Sequence, residues 1–365
     1  MESAIVIGGG QSGIAAARSL ADRGFAPVVL EAGTEPVGSW PRYYDSLVLF
    51  TPRHFDVLPG LPFPGDPAGY PSKHEVVAYL RDSAATTDCD FQTGKRVWRV
   101  EFDSGPEGGY RVRTTDGEEF RGTVVVAATG SFDRPYRPEL PDLDGFGGQV
   151  LHSAEYRNPE PFHGQRVAVV GAGNSAVQIA VELAEHAEVM LLSRKPVVYA
   201  TNSPVPADSK IWPVLAAAGR LPIGPWFGHG SIPVLDIAGS KELLDAGRPP
   251  RRKLFSGIDG KTLRWPDGSV QEVDTILLAT GFRPANEYLR PLGVLDEDGV
   301  PRQRHGIAES LPGLAFVGLE YQRTFLSATL HGVGRDAAYV ASKLERSRGS
   351  RLARLGERAR TTYRS

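Results

Sequence analysis

The chain has 365 residues, with 41 Lys plus Arg against 43 Asp plus Glu and a formal net charge of −2. That length points to two domains with a sizeable core, and the balanced charge excludes a global field that would draw in nucleic acid or an anionic membrane. A single cysteine, Cys89, excludes a disulfide framework and any C-x-x-C redox pair. With no apolar run long enough to span a bilayer and no signal segment, a reducing cytoplasm is expected.

Residues 4–7, Ala-Ile-Val-Ile, have the length and apolarity of a buried strand. Gly8-Gly9-Gly10-Gln11-Ser12-Gly13 follows, then the alanine-rich residues 14–20 and a closing Arg23-Gly24, which reads as strand, tight turn and helix. Gly8 would permit the turn, Gly10 the close approach of a pyrophosphate, and Gly13 tight helix–strand packing. The phosphates would sit against free amides at the helix start. A second strand, residues 28–30, ends in Glu31, where an acid can bond ribose hydroxyls. Any Gly-rich strand–helix turn is the alternative to a nucleotide site here.

Gly38-Ser39-Trp40 and a Pro- and aromatic-rich stretch over residues 41–75 come next, read from composition as an irregular loop. Within it Ser72 and Glu75 form an S-x-x-E capping box ahead of a helix over 76–81. Residues 95–127 alternate as an antiparallel meander would, around turns at 105–109 and Asp116-Gly117. Residues 124–130 are a strand ending in Ala-Thr-Gly, which contributes Thr129 and Gly130.

The second glycine turn is Gly171-x-Gly173-x-x-Ala176, set between a strand over 167–170 and a helix to about residue 184; Asn174 and Ser175 lie inside it. The next strand, 188–192, ends in Ser193-Arg194-Lys195 instead of an acid. An acid there would repel a 2′-phosphate, whereas a guanidinium and a hydroxyl would bind it, each charge-assisted bond contributing about 1.5–3 kcal/mol. This favours NADPH over NADH; a plain surface basic pair is the other reading. Residues 196–266 are rich in Pro, Gly and Trp with weak periodicity, and are expected to be a substrate-facing insertion. A second strand ending in Ala-Thr-Gly, residues 275–281, carries Thr280 and Gly281. A last strand and turn over 313–318 ends at Gly318, followed by a helix over about 327–344 and an Arg-rich segment, 346–364, read as a solvated helix end.

Between the two glycine turns, Phe146, Gly148, His152 and Tyr156 stand in the order F-x-G-x-x-x-H-x-x-x-Y. A random chain of this composition would show that pattern roughly 0.003 times, against roughly 0.5 times for a bare G-x-G-x-x-G. The segment resembles the identifying sequence of the flavin-containing (class B) monooxygenases. Gly38-Ser39-Trp40 matches that family's G-x-W element. The 41–75 stretch resembles the bacterial and plant branch that includes the indole-3-pyruvate (YUCCA-type) monooxygenases, where it lines the flavin's reactive face. Many two-nucleotide flavoproteins carry Asp after the last glycine, whereas this chain has Leu319, as the monooxygenase relatives do.

The resemblance implies an α/β flavoprotein with two Rossmann-like dinucleotide-binding domains, the NADPH domain inserted into a discontinuous FAD domain at the two Ala-Thr-Gly turns. The expected limits are 1–140 for the first FAD part, 141–280 for the NADPH domain with its 196–266 insertion, and 281–365 for the second FAD part with its C-terminal helix. FAD is expected on Gly8, Gly10, Gln11, Ser12, Gly13, Glu31, Trp40, Thr129, Gly130 and Gly318. NADPH is expected on Gly171, Gly173, Asn174, Ser175, Ala176, Ser193, Arg194, Lys195, Thr280 and Gly281.

The chemistry implied is flavin-borne: hydride passes from NADPH to flavin, oxygen adds at C4a, and the peroxyflavin oxygenates a nitrogen, sulfur, carbonyl or α-keto-acid centre. The partners are a small molecule and O2, with no nucleic acid, membrane span or metal, and a homodimer is left open. Among protein groups only His152, as a hydrogen-bonding spacer between the domains, and Thr51 are candidates for a direct part. Mammalian-type relatives carry Thr-Asn where this chain has Thr51-Pro52, and proline has no N–H to offer. Two other readings are therefore retained: an NADPH-dependent reductase or oxidase feeding a quinone, a protein or O2, and a sensor that binds both nucleotides without turnover.

Overall fold

The apolar runs at residues 4–7 and 167–170 each become an interior strand of a parallel sheet, buried on both faces. A computed structural model describes residues 2–104, 108–201, 203–227, 233–236 and 239–362, with side chains to residue 347. Strands β1 (Glu2–Ile7), β2 (Phe25–Leu30) and β3 (Asp90–Gln92) lie side by side, linked through α1 (Gln11–Ala21) and α2 (Lys73–Ala85). Ser72 caps α2 with the expected reciprocal bonds to Glu75.

Strands β4 (Val97–Asp103), β5 (Gly109–Thr114) and β6 (Glu119–Gly122) form the expected antiparallel meander, though its 105–109 turn lies partly outside the described residues. The meander ends sooner than its expected limit of 127. Strand β7 (Val124–Ala127) is apolar at every position, so it cannot face water, and it pairs parallel with β1 instead.

After β8 (Arg134–Pro135), a second sheet is built from β9 (Gln149–His152), β10 (Arg166–Val170), α3 (Asn174–Leu183) and β11 (Glu188–Ser193). Next come α4 (Ile211–Ala218), α5 (Ser240–Asp245) and β12 (Arg251–Lys253), then a small antiparallel sheet of β13 (Gly257–Asp259), β14 (Thr262–Arg264) and β15 (Val270–Glu272). Strand β16 (Thr275–Leu278) completes the five-stranded order β12-β11-β10-β16-β9.

The expected insertion over 196–266 is thus too long. Its last part is structural, because β12 extends the parallel sheet and β13–β14 cover its face. Weak periodicity concealed strands only three residues long. Strand β17 (Phe282–Arg283) pairs antiparallel with β8, so the two segments that join the sheets run side by side.

Strands β18 (Gln303–Arg304), β19 (Ile307–Ala308) and β20 (Leu314–Phe316) finish the first sheet in the order β18-β19-β20-β7-β1-β2-β3. Helix α6 (Leu330–Thr362) packs on α1 and carries the chain into the Arg-rich segment, whose side chains from residue 348 lie outside the described set.

Alternation along each central strand feeds two cores. Ala4 and Val6 join α1, α2 and α6, while Ile5 and Ile7 pack with Val100, Tyr110 and Val112 of the meander. In the second sheet, Val167 and Val169 meet α3, while Ala168 and Val170 meet Phe255, Leu263 and Trp265. Leu140 and Leu143 pack in that last core.

Candidate functional site

The parallel register sets the carboxyl ends of both sheets level. Ile7 is opposite Leu30 and Ala127, and Phe316 is opposite Ala127, so Gly8, Glu31, Ala128 and Val317 emerge together. In the second sheet, Val170 is opposite Leu192 and Leu278, and Leu278 is opposite His152. The crevice beyond such ends is where open α/β sheets bind ligands.

Backbone geometry tests whether dinucleotides fit. Gly8 has φ +104°, and a Cβ there would lie 2.6 Å from the Ala128 carbonyl oxygen. A Cβ on Gly13 would lie 1.8 Å from the Gly8 carbonyl oxygen, so α1 can approach β1 only through glycine. At Gly10, by contrast, the nearest atom to an added Cβ is the Gly38 Cα, at 3.4 Å, so the G-x-W element backs the turn from outside. No side chain caps α1 or α3. Their first amides remain available to an anion, in the field of the helix dipole.

Gln11 Oε1 accepts from Trp40 Nε1 at 2.6 Å, and its amide Nε2 donates to the Ala328 carbonyl at 3.2 Å, which ties the start of α1 to Gly38-Ser39-Trp40 and to the approach to α6. A Cβ on Gly318 would fall 2.0 Å from Ser12 Oγ, so this late glycine also abuts α1. Glu31 is buried, its two carboxylate oxygens accepting from the Gly9 and Gly33 amides at 2.6 Å each. It therefore braces the glycine turn from the end of the second strand. Thr129 Oγ1 lies 3.2 Å from the hydroxyl of Tyr288, and Gly130 has φ +68°. These ten positions, from five separate stretches of chain, gather at one sheet edge.

At the second turn, a Cβ on Gly171 would lie 2.3 Å from the Ala279 carbonyl oxygen and 2.8 Å from Ala176 Cβ, whereas one on Gly173 would meet nothing within 4 Å. That open side is suited to a phosphate. Asn174 Oδ1 accepts from the Leu235 amide at 3.1 Å, and Ser175 beside it is half-buried. Ser193 Oγ donates to the Lys195 carbonyl at 2.7 Å, which curls the strand end. Arg194 and Lys195 are exposed there, with no ion pair among the described residues. Thr280 and Gly281 serve the connection between the sheets: Thr280 Oγ1 donates to the Tyr136 carbonyl at 2.5 Å, and the Gly281 carbonyl accepts from the Tyr136 amide at 2.9 Å.

His152 is completely buried, with Nε2 3.0 Å from the Gly281 oxygen and Nδ1 accepting from the Ala154 amide at 3.1 Å. The proton therefore sits on Nε2, and burial holds the imidazole below its ordinary pKa. Its ring edge meets Phe282, Phe282 meets Phe132, and Phe132 meets Tyr43, which in turn packs on Trp40. The fingerprint histidine is thus the last link of an aromatic row that runs from one sheet edge to the other.

Thr51 Oγ1 donates to Asp56 Oδ2 at 2.6 Å, and burial pushes the Asp56 carboxyl up to about 7. Phe55 stacks on His331, whose Nδ1 donates to the Phe55 carbonyl at 2.7 Å, so this loop rests on the first turn of α6. Sequence reading missed Asp56, because an acid in a Pro-rich loop reads as solvated. Its one signal is the apolar pair Phe55 and Leu58 around it.

Cys89 is half-buried, and burial pushes its thiol up to about 12, so no reactive thiolate is on offer. Among the described residues no cluster of His, Cys, Asp and Glu could hold a metal, and no helix is long and apolar enough to cross a membrane.

Residues 5–213 match the family model described as pyridine nucleotide-disulphide oxidoreductase. A CzcO-like oxidoreductase of Geobacillus kaustophilus is 32% identical over 93% of this chain and 97% of its own length. The indole-3-pyruvate monooxygenase YUCCA1 of Oryza sativa subsp. japonica is 33% identical over 77% of this chain and 76% of its own. Among solved structures, a flavin-containing monooxygenase from Stenotrophomonas maltophilia superposes with a TM-score of 0.80 at 30% identity, covering 94% of this chain and 98% of the other.

Proposed function

The chain belongs to the flavin monooxygenase family, within the wider pyridine nucleotide-disulphide oxidoreductases, and from that premise we propose how its residues divide the work and which substrates it takes. The protein is an FAD-dependent NADPH monooxygenase that oxygenates a small molecule. Overall, NADPH, a proton, O2 and substrate give NADP⁺, water and the oxygenated product. FAD, when bound, would supply the redox chemistry: a hydride acceptor for NADPH and, once reduced, the group that activates O2.

In this reading the first turn holds FAD. The amides of Gln11, Ser12 and Gly13 face its pyrophosphate, Glu31 meets the ribose, and Gly318 clears space beside Ser12. The second turn holds NADPH, with its pyrophosphate over Gly173, Asn174 and Ser175 and its 2′-phosphate on Ser193, Arg194 and Lys195. His152 holds the crossing segments in register as a neutral donor to Gly281. The aromatic row from Trp40 to Phe282 bridges the two sheet edges, with Phe132 open to solvent. We draw the domains as 1–140 with 281–365 for FAD and 141–280 for NADPH, with Leu140 already packed in the second core. The lone cysteine suits a reducing cytoplasm.

The observation that carries this reading is the place of the fingerprint, seated between the two glycine turns with His152 closing onto Gly281. The single cysteine supports it, since the C-x-x-C dithiol pair of the thioredoxin-reductase and lipoamide-dehydrogenase type is absent. The YUCCA1 relative is named for indole-3-pyruvate, so an aromatic α-keto acid heads the candidates, ahead of soft nitrogen and sulfur centres.

The test is ¹⁸O2 labelling during NADPH turnover with α-keto acids, amines and sulfides. One labelled atom in the product, with NADPH consumed in equal amount, is the expected result. Hydrogen peroxide equal to NADPH with every substrate would overturn it in favour of an oxidase.

A further inference from the structure

Residues 43–49 form an arm with two anchors. On the FAD side, the Leu49 amide donates to the Pro71 carbonyl and the Lys73 amide to the Leu47 carbonyl, both at 2.8 Å. The buried Lys73 ammonium donates to the Tyr43 carbonyl at 2.9 Å and to Asp45 Oδ1 at 2.7 Å. The other anchor lies in the second domain. Tyr44 is 5% exposed and packs in the core of the NADPH-side sheet, with Tyr156, Val177 and Leu151. Its hydroxyl donates to Gln178 Oε1.

Tyr156, the last residue of the fingerprint, lies against Tyr44 at 6.1 Å and donates to Glu182 Oε2 at 2.8 Å. Residues 178 and 182 lie one turn apart on one face of α3. Two tyrosines therefore hold that face, one of them carried by a segment of the other domain. Beyond it, the Asp45 amide donates to the Arg157 carbonyl at 2.7 Å, and Asn158 Nδ2 to Asp45 Oδ2 at 3.2 Å. Burial first, then the Glu182 carboxylate, raises the Tyr44 phenol well above its usual pKa, so it stays a donor.

We propose that Tyr44 is a positioning residue for hydride transfer: through Gln178 it sets where α3, and the NADPH at its N-terminus, stands relative to the flavin loop. Thr51, with its bond to Asp56, lies only seven residues further along this arm. A shift of α3 is therefore passed to that loop through a short, doubly anchored segment. The inference rests on the assignment of NADPH to the second glycine turn.

The experiment is anaerobic stopped-flow reduction of the FAD-loaded Tyr44→Phe enzyme, by NADPH and separately by dithionite. The ring is kept, so bound FAD and melting temperature are expected to match the parent. The limiting rate with NADPH is expected to fall about tenfold, as small misplacements of reactants do, while dithionite reduction is unchanged. Gln178→Ala, at a half-exposed site, serves if Tyr44→Phe folds poorly, and the same loss is expected.

Parent-like reduction by NADPH in either folded variant overturns the proposal. Gly173→Val separates the two failures, since its Cβ meets no protein atom within 4 Å. If that variant is reduced normally, the NADPH assignment is at fault. If it is blocked while Tyr44→Phe is normal, the fault lies with Tyr44.

Discussion

His152 Nε2 stands 3.0 Å from the carbonyl oxygen of Gly281, so the fingerprint histidine closes onto the turn where the chain leaves the second sheet. Its other nitrogen accepts from the Ala154 amide, and no part of the ring reaches solvent. The Gly281 oxygen keeps a second donor, the Tyr136 amide, but Ala154 has no replacement for the imidazole.

His152→Ala should therefore cost about 2–4 kcal/mol, from the cavity and the stranded amide. Thermal melting of the FAD-loaded protein checks this, with His152→Gln expected to lose less. The sign with pH follows from burial, which lowers the folded-state pKa below the ordinary 6.5. Below 6.5 the unfolded chain binds the proton first, so this contribution is complete above 6.5 and fades as pH falls. A His152→Gln protein with the same acid slope as the parent would contradict the buried neutral imidazole.

Asp56 has the opposite dependence. Its carboxyl is 2% exposed, with the Thr51 hydroxyl as its named partner, and burial raises it from 3.8 to about 7. Stability from the protonated form is fully present below 3.8 and is lost as pH rises through 7. Asp56→Asn keeps an acceptor for Thr51 and removes the ionisation. It should flatten the decline between pH 5 and 8, which for a pKa raised to about 7 is at most about 3 kcal/mol in that window. Urea unfolding at the two pH values measures it, and an unchanged difference would mean that Asp56 does not titrate in this range.

At the first turn, Gly10 is backed by Gly38, whose own Cβ would come 2.9 Å from the Gly10 Cα. Branched atoms at residue 10 have no room on that side and must project to where the pyrophosphate approaches. Gly10→Val is expected to purify colourless, with the rest of α1 still formed. Absorbance and circular dichroism check both parts, and a yellow protein with parent-like FAD content would remove the first turn from the FAD site.

Much of this was legible because the signals are local. The runs at 4–7 and 167–170, the glycines behind them and the Ser72–Glu75 capping box all depend on neighbours a few residues away, and each formed where expected. The 251–264 strands were not legible, since three-residue strands show no period and join their sheets only through partners such as Leu191 and Leu192. The role of Tyr44 was hidden for the same reason. An aromatic residue in a Pro-rich stretch reads as loop lining, and nothing near it in sequence announces a bond to Gln178, 134 residues away.

The choice of reductant lies with Arg194. It follows β11 directly, exposed and without an ion pair among the described residues, while Ser193 Oγ and the Lys195 carbonyl curl the backbone around it. A guanidinium with no internal partner loses nothing structurally when removed, so Arg194→Ala should melt like the parent. A 2′-phosphate would lose a charge-assisted bond of about 1.5–3 kcal/mol, which raises the NADPH KM by roughly 10- to 100-fold. NADH lacks that phosphate, so its KM should barely move and the preference between the two should narrow by the same factor. Steady-state kinetics with both coenzymes decide the matter: equal losses for each would place Arg194 away from the phosphate, and no loss for either would make it an ordinary surface cation.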